Sequence, residues 1–307
     1  HQIHLLDPSE LLRPEPTFAD KNPSKFRDYS VDTEDPLKER VRRTYRQMHL
    51  NQTVDFVNGK HSTILYIRCN VYQRPPLASG RRARWLKFNT IKMTVREALE
   101  KLNDLVDESD PDLDLPNIIH AFQAAERARS EFPQHDWLHL TALIHDLGKI
   151  MAFYDEPQWA VVGDTFAVGC RWGDSIVYRD ESFEGNPDGE NPKYNTKYGM
   201  YAPNCGVDNL LMSWGHDEYM YSVLKHNNTK LPDVACNIIR FHSFYPWHNG
   251  GDYKHLEAPK DEETKKWVLI FNRYDLYTKS EVVPDIEALW PYYQTLIDKY
   301  LPGVLEF

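Results

Sequence analysis

A mainly α-helical fold with a small β excursion is what three features of this 307-residue chain predict. Apolar side chains recur at three- and four-residue steps through most of it, the period of an amphipathic helix. Residues 157–207 lose that period among Gly, Pro and Asn turns. Inside the most apolar helical run, Leu143-Ile144-His145-Asp146-Leu147-Gly148-Lys149, a histidine and an aspartate stand side by side where packing alone calls for neither. A buried carboxylate is costly without a charged partner, and a buried imidazole needs partners for both nitrogens. A bound metal would satisfy both at once.

Residues 1–35, rich in Pro, Asp and Ser, read as an extended arm. Residues 36–307 are then expected to form one helical catalytic domain. Pro36 suits a first helical turn, and Leu37, Val41, Tyr45 and Met48 carry the pattern on to Val57. From Ile64 to Lys92 it fails: Arg74-Pro75-Pro76 and Ser79-Gly80-Arg81-Arg82 mark an irregular basic insert at about 62–86, expected to be disordered. Thr94-Val95-Arg96-Glu97 is a capping box opening the next helix. Asp110, Asp112 and Asp114 invite a calcium-loop reading that fails, because the sixth position is Leu115 rather than Gly and the twelfth is Ala121 rather than Glu. A solvated turn or hydroxyl-binding loop is expected there.

Asn117 can cap a helix through Ile118, His120, Phe122 and Ala125, ended near Pro133. The dyad helix follows, to about Asp155. Short strands are expected at Trp159 to Phe166 and Ser175 to Tyr178, forming a lid or wall. Further helices are expected from Val207 to Asn227, from Pro232 through His242, over about 261–279 and over 285–301.

A hydrophobic content of 41% and a charged content of 27% fit a globular protein and exclude a disordered chain. No apolar run reaches membrane-spanning length, and the first residues lack the basic and apolar regions of a signal peptide. Cys69, Cys170, Cys205 and Cys236 form no CxxC pair, which argues against a thiolate zinc site and suits a reducing cytoplasm. The net charge is −10, yet Phe56 to Arg96 holds no acid and nine Lys or Arg, so the remainder is strongly acidic. Such a body repels nucleic acid and anionic membranes, leaving a small substrate as the expected partner.

Six His or acid residues lie in apolar helical contexts: His120, His145, Asp146, His216, His242 and Asp275. Singly, each is more often an ordinary hydrogen-bonded core residue, and Asp275 can pair with Lys279 at helical spacing. Together they suffice for two metals, with Asp146 able to bridge, and nitrogen-rich ligation favours iron, zinc, manganese or cobalt. His139, seven residues before Asp146, lies roughly 10 Å along the axis, too far to share an ion. His4, His49, His61, His135, His226, His248 and His255 sit in polar contexts and are not expected as ligands. The order His120, His145-Asp146, Asp275 resembles the H…HD…D pattern of HD-domain metal proteins, most of which hydrolyse phosphate esters. A metal-dependent phosphohydrolase of HD type is therefore an alternative, although no Walker-type phosphate loop is present. A non-catalytic polyol binder is a third, disfavoured by the complete ligand set.

Longer words narrow the choice. Trp214-Gly215-His216-Asp217-Glu218-Tyr219, Arg240-Phe241-His242-Ser243-Phe244-Tyr245-Pro246-Trp247-His248, Asn272-Arg273-Tyr274-Asp275-Leu276-Tyr277-Thr278-Lys279 and Val161-Val162-Gly163-Asp164-Thr165-Phe166 closely resemble myo-inositol oxygenase. The words at 107–112, 120–123 and 145–149 do so too, and the likeness runs from Phe26 onward except for the insert, some twenty residues beyond the family pattern. The resemblance implies a di-iron oxygenase that opens the ring of myo-inositol with dioxygen, giving D-glucuronate in a four-electron oxidation. It implies a mixed-valent Fe(II)/Fe(III) pair, with His120, His145, Asp146 and Asp275 on one iron and Asp146 bridging to a second held by His216 and His242. Lys149 would act with Asp146 in catalysis. Arg27, Asp107, Glu108, Ser109, Lys149, Gly163, Asp164, His242, Ser243 and Lys279 would meet the polyol, and a cytoplasmic monomer is expected. The residues agree on one point without the family: Lys149, three positions after Asp146, can offer an ammonium to a developing alkoxide.

Overall fold

The structure, a computed structural model, describes residue 29 and residues 35–59, 81–110, 116–277 and 283–307. Among these, helices dominate. The Asp35 side chain accepts from Leu37 N and caps α1 (Pro36–Asn51), which buries Val41, Tyr45 and Met48 on one face. The chain breaks at Gln52 and Thr53, and the Thr53 side chain opens a short α2 (Val54–Val57). The capping box is formed as its sequence predicts: Thr94 and Glu97 satisfy each other's backbone N–H at the start of α4 (Val95–Leu102).

The centre is built from α5 (Asn117–Glu131) and α6 (Asp136–Ile144), which pack on each other, and from α8 (His216–His226), α9 (Asp233–Phe241) and α11 (Asp261–Tyr277) around them. Short α7 (Arg179–Ser182) and α10 (Tyr245–His248) lie in the connections, and α12 (Ile286–Tyr300) covers α6. Asn117 is the first residue of α5 rather than its cap; its amide donates to the carbonyls of Leu102 and Leu105, tying α5 to the end of α4.

Several expected elements differ. The dyad helix stops at Ile144, and a 3-10 helix, Leu147–Phe153, takes over after Asp146. The expected strands at 159–166 and 175–178 are turns and a 3-10 segment (Gln158–Ala160), with a single bridge from Ala167 to Met212. The described strands lie elsewhere: β1 (Lys92–Met93) pairs antiparallel with β2 (Leu305–Glu306). The helix expected from Val207 begins only at His216, because the buried amide of Gln52 holds the preceding chain extended, donating to Trp214 O at 2.6 Å and accepting from Trp214 N at 2.8 Å.

The basic insert is not wholly irregular. Residues 62–80 lie outside the described part, but Arg81–Trp85 forms α3, and Trp85 is fully buried. Its indole N–H donates to Glu156 Oε2 at 3.0 Å, and Arg82 lies 3.5 Å from Glu218 Oε1. Burial of the indole, with its polar edge satisfied, outweighs the expectation of disorder for that end of the insert. Two histidines expected in polar surroundings are also buried: His49 stacks on Phe183 with ring centroids 4.3 Å apart, and His248 Nε2 donates to the His242 carbonyl at 2.9 Å.

Candidate metal centre

Five chain segments converge on one point. His120 comes from the first turns of α5, His145 and Asp146 from the end of α6, His216 and Asp217 from the first turn of α8, His242 from the end of α9 and Asp275 from the last turn of α11. His145 and His242 share a local design. Each sits just past the last residue of its helix, and its Nδ1 lies on the carbonyl three residues back, Ala142 at 2.8 Å and Ile239 at 2.9 Å. Helix ends leave carbonyls without backbone partners, so the imidazole completes the helix as the helix orients the imidazole. His216 Nδ1 is fixed on Val161 O at 2.7 Å. A carbonyl only accepts, so all three Nδ1 atoms carry hydrogen, and a neutral ring turns its Nε2 lone pair inward.

What those Nε2 atoms face is carboxylate. His145 Nε2 lies 3.4 Å from both Asp146 Oδ2 and Asp275 Oδ1, and His120 Nε2 is 3.0 Å from Asp275 Oδ1. The other oxygen of Asp146, Oδ1, is 3.4 Å from His216 Nε2 and 3.8 Å from His242 Nε2. Asp146 therefore turns one oxygen to each of two clusters. Lone pairs facing carboxylate oxygens repel unless a cation lies between them, and buried His145 Nε2 has no hydrogen-bond partner. Donor atoms about 2 Å from a shared ion stand roughly 3 Å apart, which matches these separations. His120, His145 and Asp275 form one group able to hold a metal, and His145, Asp146 and His242 another.

The electrostatics point the same way. Burial opposes a charge on His145, yet the Asp146 and Asp275 carboxylates outweigh it and push the ring up to about 10. Burial likewise works against the anions, but Lys149 and His145 hold Asp146, and His120 and His145 hold Asp275, well below the usual carboxylate range. The site demands positive charge. Protons supply it in a metal-free protein and would leave on metal binding.

Lys149 lies beside this centre, its Nζ 3.0 Å from Asp146 Oδ2 and 2.9 Å from Asp107 Oδ2. Burial disfavours its charge, but the two carboxylates hold it well above the ordinary lysine range. Asp107 Oδ1 accepts from Ser109 N at 2.8 Å and Oγ at 2.6 Å. Glu108 accepts from Thr44 Oγ1 at 3.1 Å, and Tyr45 OH donates to Asp164 Oδ1 at 3.1 Å. Gly163 has φ +89°, and a Cβ there would come 2.6 Å from Met48 Cε and 3.4 Å from Ser109 Cβ. The 107–109 and 163–164 loops thus meet across α1. Ser243 follows His242 directly, its Oγ 3.4 Å from His216 Nε2. Arg27 and Lys279 lie outside the described residues.

A family profile described as Myo-inositol oxygenase matches residues 60–307. The chain belongs to the myo-inositol oxygenase family. Inositol oxygenase of Mus musculus is 52% identical over 303 residues, covering 98% of each chain, and that of Danio rerio 50% identical over 301 residues, covering 98% of this chain and 99% of its own. Inositol oxygenase 1 of Arabidopsis thaliana is 48% identical over 285 residues, 92% of this chain and 84% of its own. Membership of the myo-inositol oxygenase family does not favour the phosphohydrolase alternative. All six expected ligands meet in the structure. The residue that sequence reasoning missed is Asp217, fully buried, with Oδ1 2.7 Å from His216 Nε2. Its signal was a further His-Asp pair: the chain has three, His135-Asp136, His145-Asp146 and His216-Asp217, and only the last two carry a candidate ligand histidine.

Proposed function

We propose that this chain is an inositol oxygenase that cleaves the ring of myo-inositol with dioxygen to give D-glucuronate, at an iron pair working in the mixed-valent Fe(II)/Fe(III) state. The observation that carries this reading is the placement of Asp146, with its two oxygens facing two separate imidazole clusters. His120, His145, Asp146 and Asp275 would hold one iron, and Asp146, His216 and His242 the other. When bound, the iron pair supplies Lewis acidity toward adjacent hydroxyls of the polyol and the redox capacity that dioxygen requires.

The protein's own groups bind, orient and move protons. Lys149, kept charged between Asp107 and Asp146, offers an N–H to a hydroxyl oxygen as negative charge develops on it. Asp107, Glu108, Ser109, Gly163, Asp164, His242 and Ser243 would meet the polyol. A neutral polyol needs such dense hydrogen bonding for orientation. Arg27 and Lys279 are assigned to the same contacts. Phe271 packs on His145 and His242, with centroids at 5.2 and 5.8 Å, and keeps water from the inner ring faces. We place the enzyme in the cytoplasm as a monomer, since Cys170, Cys205 and Cys236 are free thiols and the site is built within one chain.

The test is product identity. Iron-loaded protein given myo-inositol and air should yield glucuronate and release no phosphate from phosphomonoesters. Phosphomonoester hydrolysis without oxygen, and no glucuronate, would sink the reading.

A further inference from the structure

The second cluster, at His216 and His242, contains one more donor than the expected ligand set assigns to it. Asp217 sits in the first turn of α8 and is fully buried. Its Oδ1 is 2.7 Å from His216 Nε2 and 3.5 Å from His242 Nε2, and these three residues form a group able to hold a metal. We infer that Asp217 is a carboxylate ligand of the second metal in the substrate-free protein. This rests on the two-metal reading proposed above.

Proton placement is the first support. His216 and His242 each place Nδ1–H on a backbone carbonyl, which leaves the Nε2 atoms of both rings aimed at Asp217 Oδ1. At 2.7 Å Asp217 Oδ1 meets His216 Nε2 through a proton while the ring is charged, and a bound cation would take that proton's place. Separations of 2.7 and 3.5 Å, with Asp146 Oδ1 at 3.4 and 3.8 Å from the same two nitrogens, suit neighbouring positions around one ion.

Balance between the two sites is the second. The first has two imidazoles, a carboxylate of its own in Asp275 and one oxygen of Asp146. Without Asp217, the second has two imidazoles and only the other oxygen of Asp146. Asp217 restores the match. A purely structural role accounts for less. Asp217 Oδ2 accepts from Ser243 N at 3.0 Å and Oδ1 from Ser243 Oγ at 3.2 Å, but neither bond explains an oxygen set against Nε2. A carboxylate shared between metal and Ser243 is suited to yield its metal position when the oxygens of a polyol arrive.

The test counts metal rather than turnover. Purified protein is loaded with iron, and iron per chain and chelator competition are measured for wild type and for Asp217→Asn, which keeps one acceptor oxygen for Ser243 N and removes the charge. The expected result is two irons in the wild type, and in the variant either one iron or a second held at least tenfold more weakly. His242→Ala should lose the same ion, and His120→Ala the other. An Asp217→Asn protein that keeps both irons at wild-type affinity overturns the inference and leaves the two-metal reading standing. A wild type that binds no iron overturns both. If circular dichroism shows the variant unfolded, substrate-free crystals of iron-loaded wild type decide: an Asp217 oxygen within about 2.2 Å of the second ion supports the assignment, and one bonded only to Ser243 overturns it.

Discussion

Lys149 and Asp146 touch, yet their replacement should give opposite signatures. Lys149→Ala removes a positioned donor and leaves every ligand in place, so iron content should persist while turnover falls by roughly 10²–10³. Asp146→Asn should lower iron occupancy at both clusters, because each faces one of its oxygens; an iron assay separates the two variants. His49 gives a prediction away from the metals. Burial lowers its ring to about 3, whereas in the unfolded chain it keeps the ordinary histidine value of 6.5. As pH falls through that window the unfolded state takes up a proton that the folded state refuses, so stability declines by at most about 1.4 kcal/mol per pH unit. His49→Phe should flatten the acid side of the melting-temperature profile relative to wild type. The six candidate ligands were legible because each interrupts an apolar helical pattern. Asp217 was not, since it reads as a helix N-terminal acid, and the carbonyls that pin the Nδ1 atoms carry no residue-type signal.

At the scale of elements, the junction of the 3-10 helix with α8 is decided by Gly148. A Cβ there would lie 2.1 Å from His216 O, a backbone atom that cannot rotate away. Gly148→Ala should therefore shift α8, lower stability by several kcal/mol and weaken retention of the ion at His216, all visible in a melt and an iron assay. Gln52→Leu should act more mildly, by about 1–3 kcal/mol, through the two unpaired backbone groups it leaves at Trp214. Helices were legible wherever period and cap agreed, as at Pro36, Thr94 and Asp285. They were misread where a long-range contact intervenes, as when Gln52 holds the chain before His216 extended. Strand propensity at 159–166 lost to local turns, such as Val161 N to Gln158 O at 2.8 Å, and to long-range ties such as Thr165 N to Ser243 O at 2.9 Å.

Across the whole molecule, residues far apart in sequence close the shell around the centre. Phe307 is fully buried and its N–H donates to Ile91 O at 2.8 Å, and Trp85 anchors the end of the basic insert. Trp85→Ala should cost about 3–5 kcal/mol, and limited proteolysis of the wild type should spare Arg82 and Arg84 within α3. These closures were not legible, because they pair segments with no periodic or motif link. The family's activity is the central claim, and oxygen uptake by iron-loaded, partly reduced protein on adding myo-inositol tests it most directly. One dioxygen should be consumed per glucuronate formed, with none consumed by the zinc-loaded protein. Two irons per chain, saturating inositol and no oxygen uptake would contradict it.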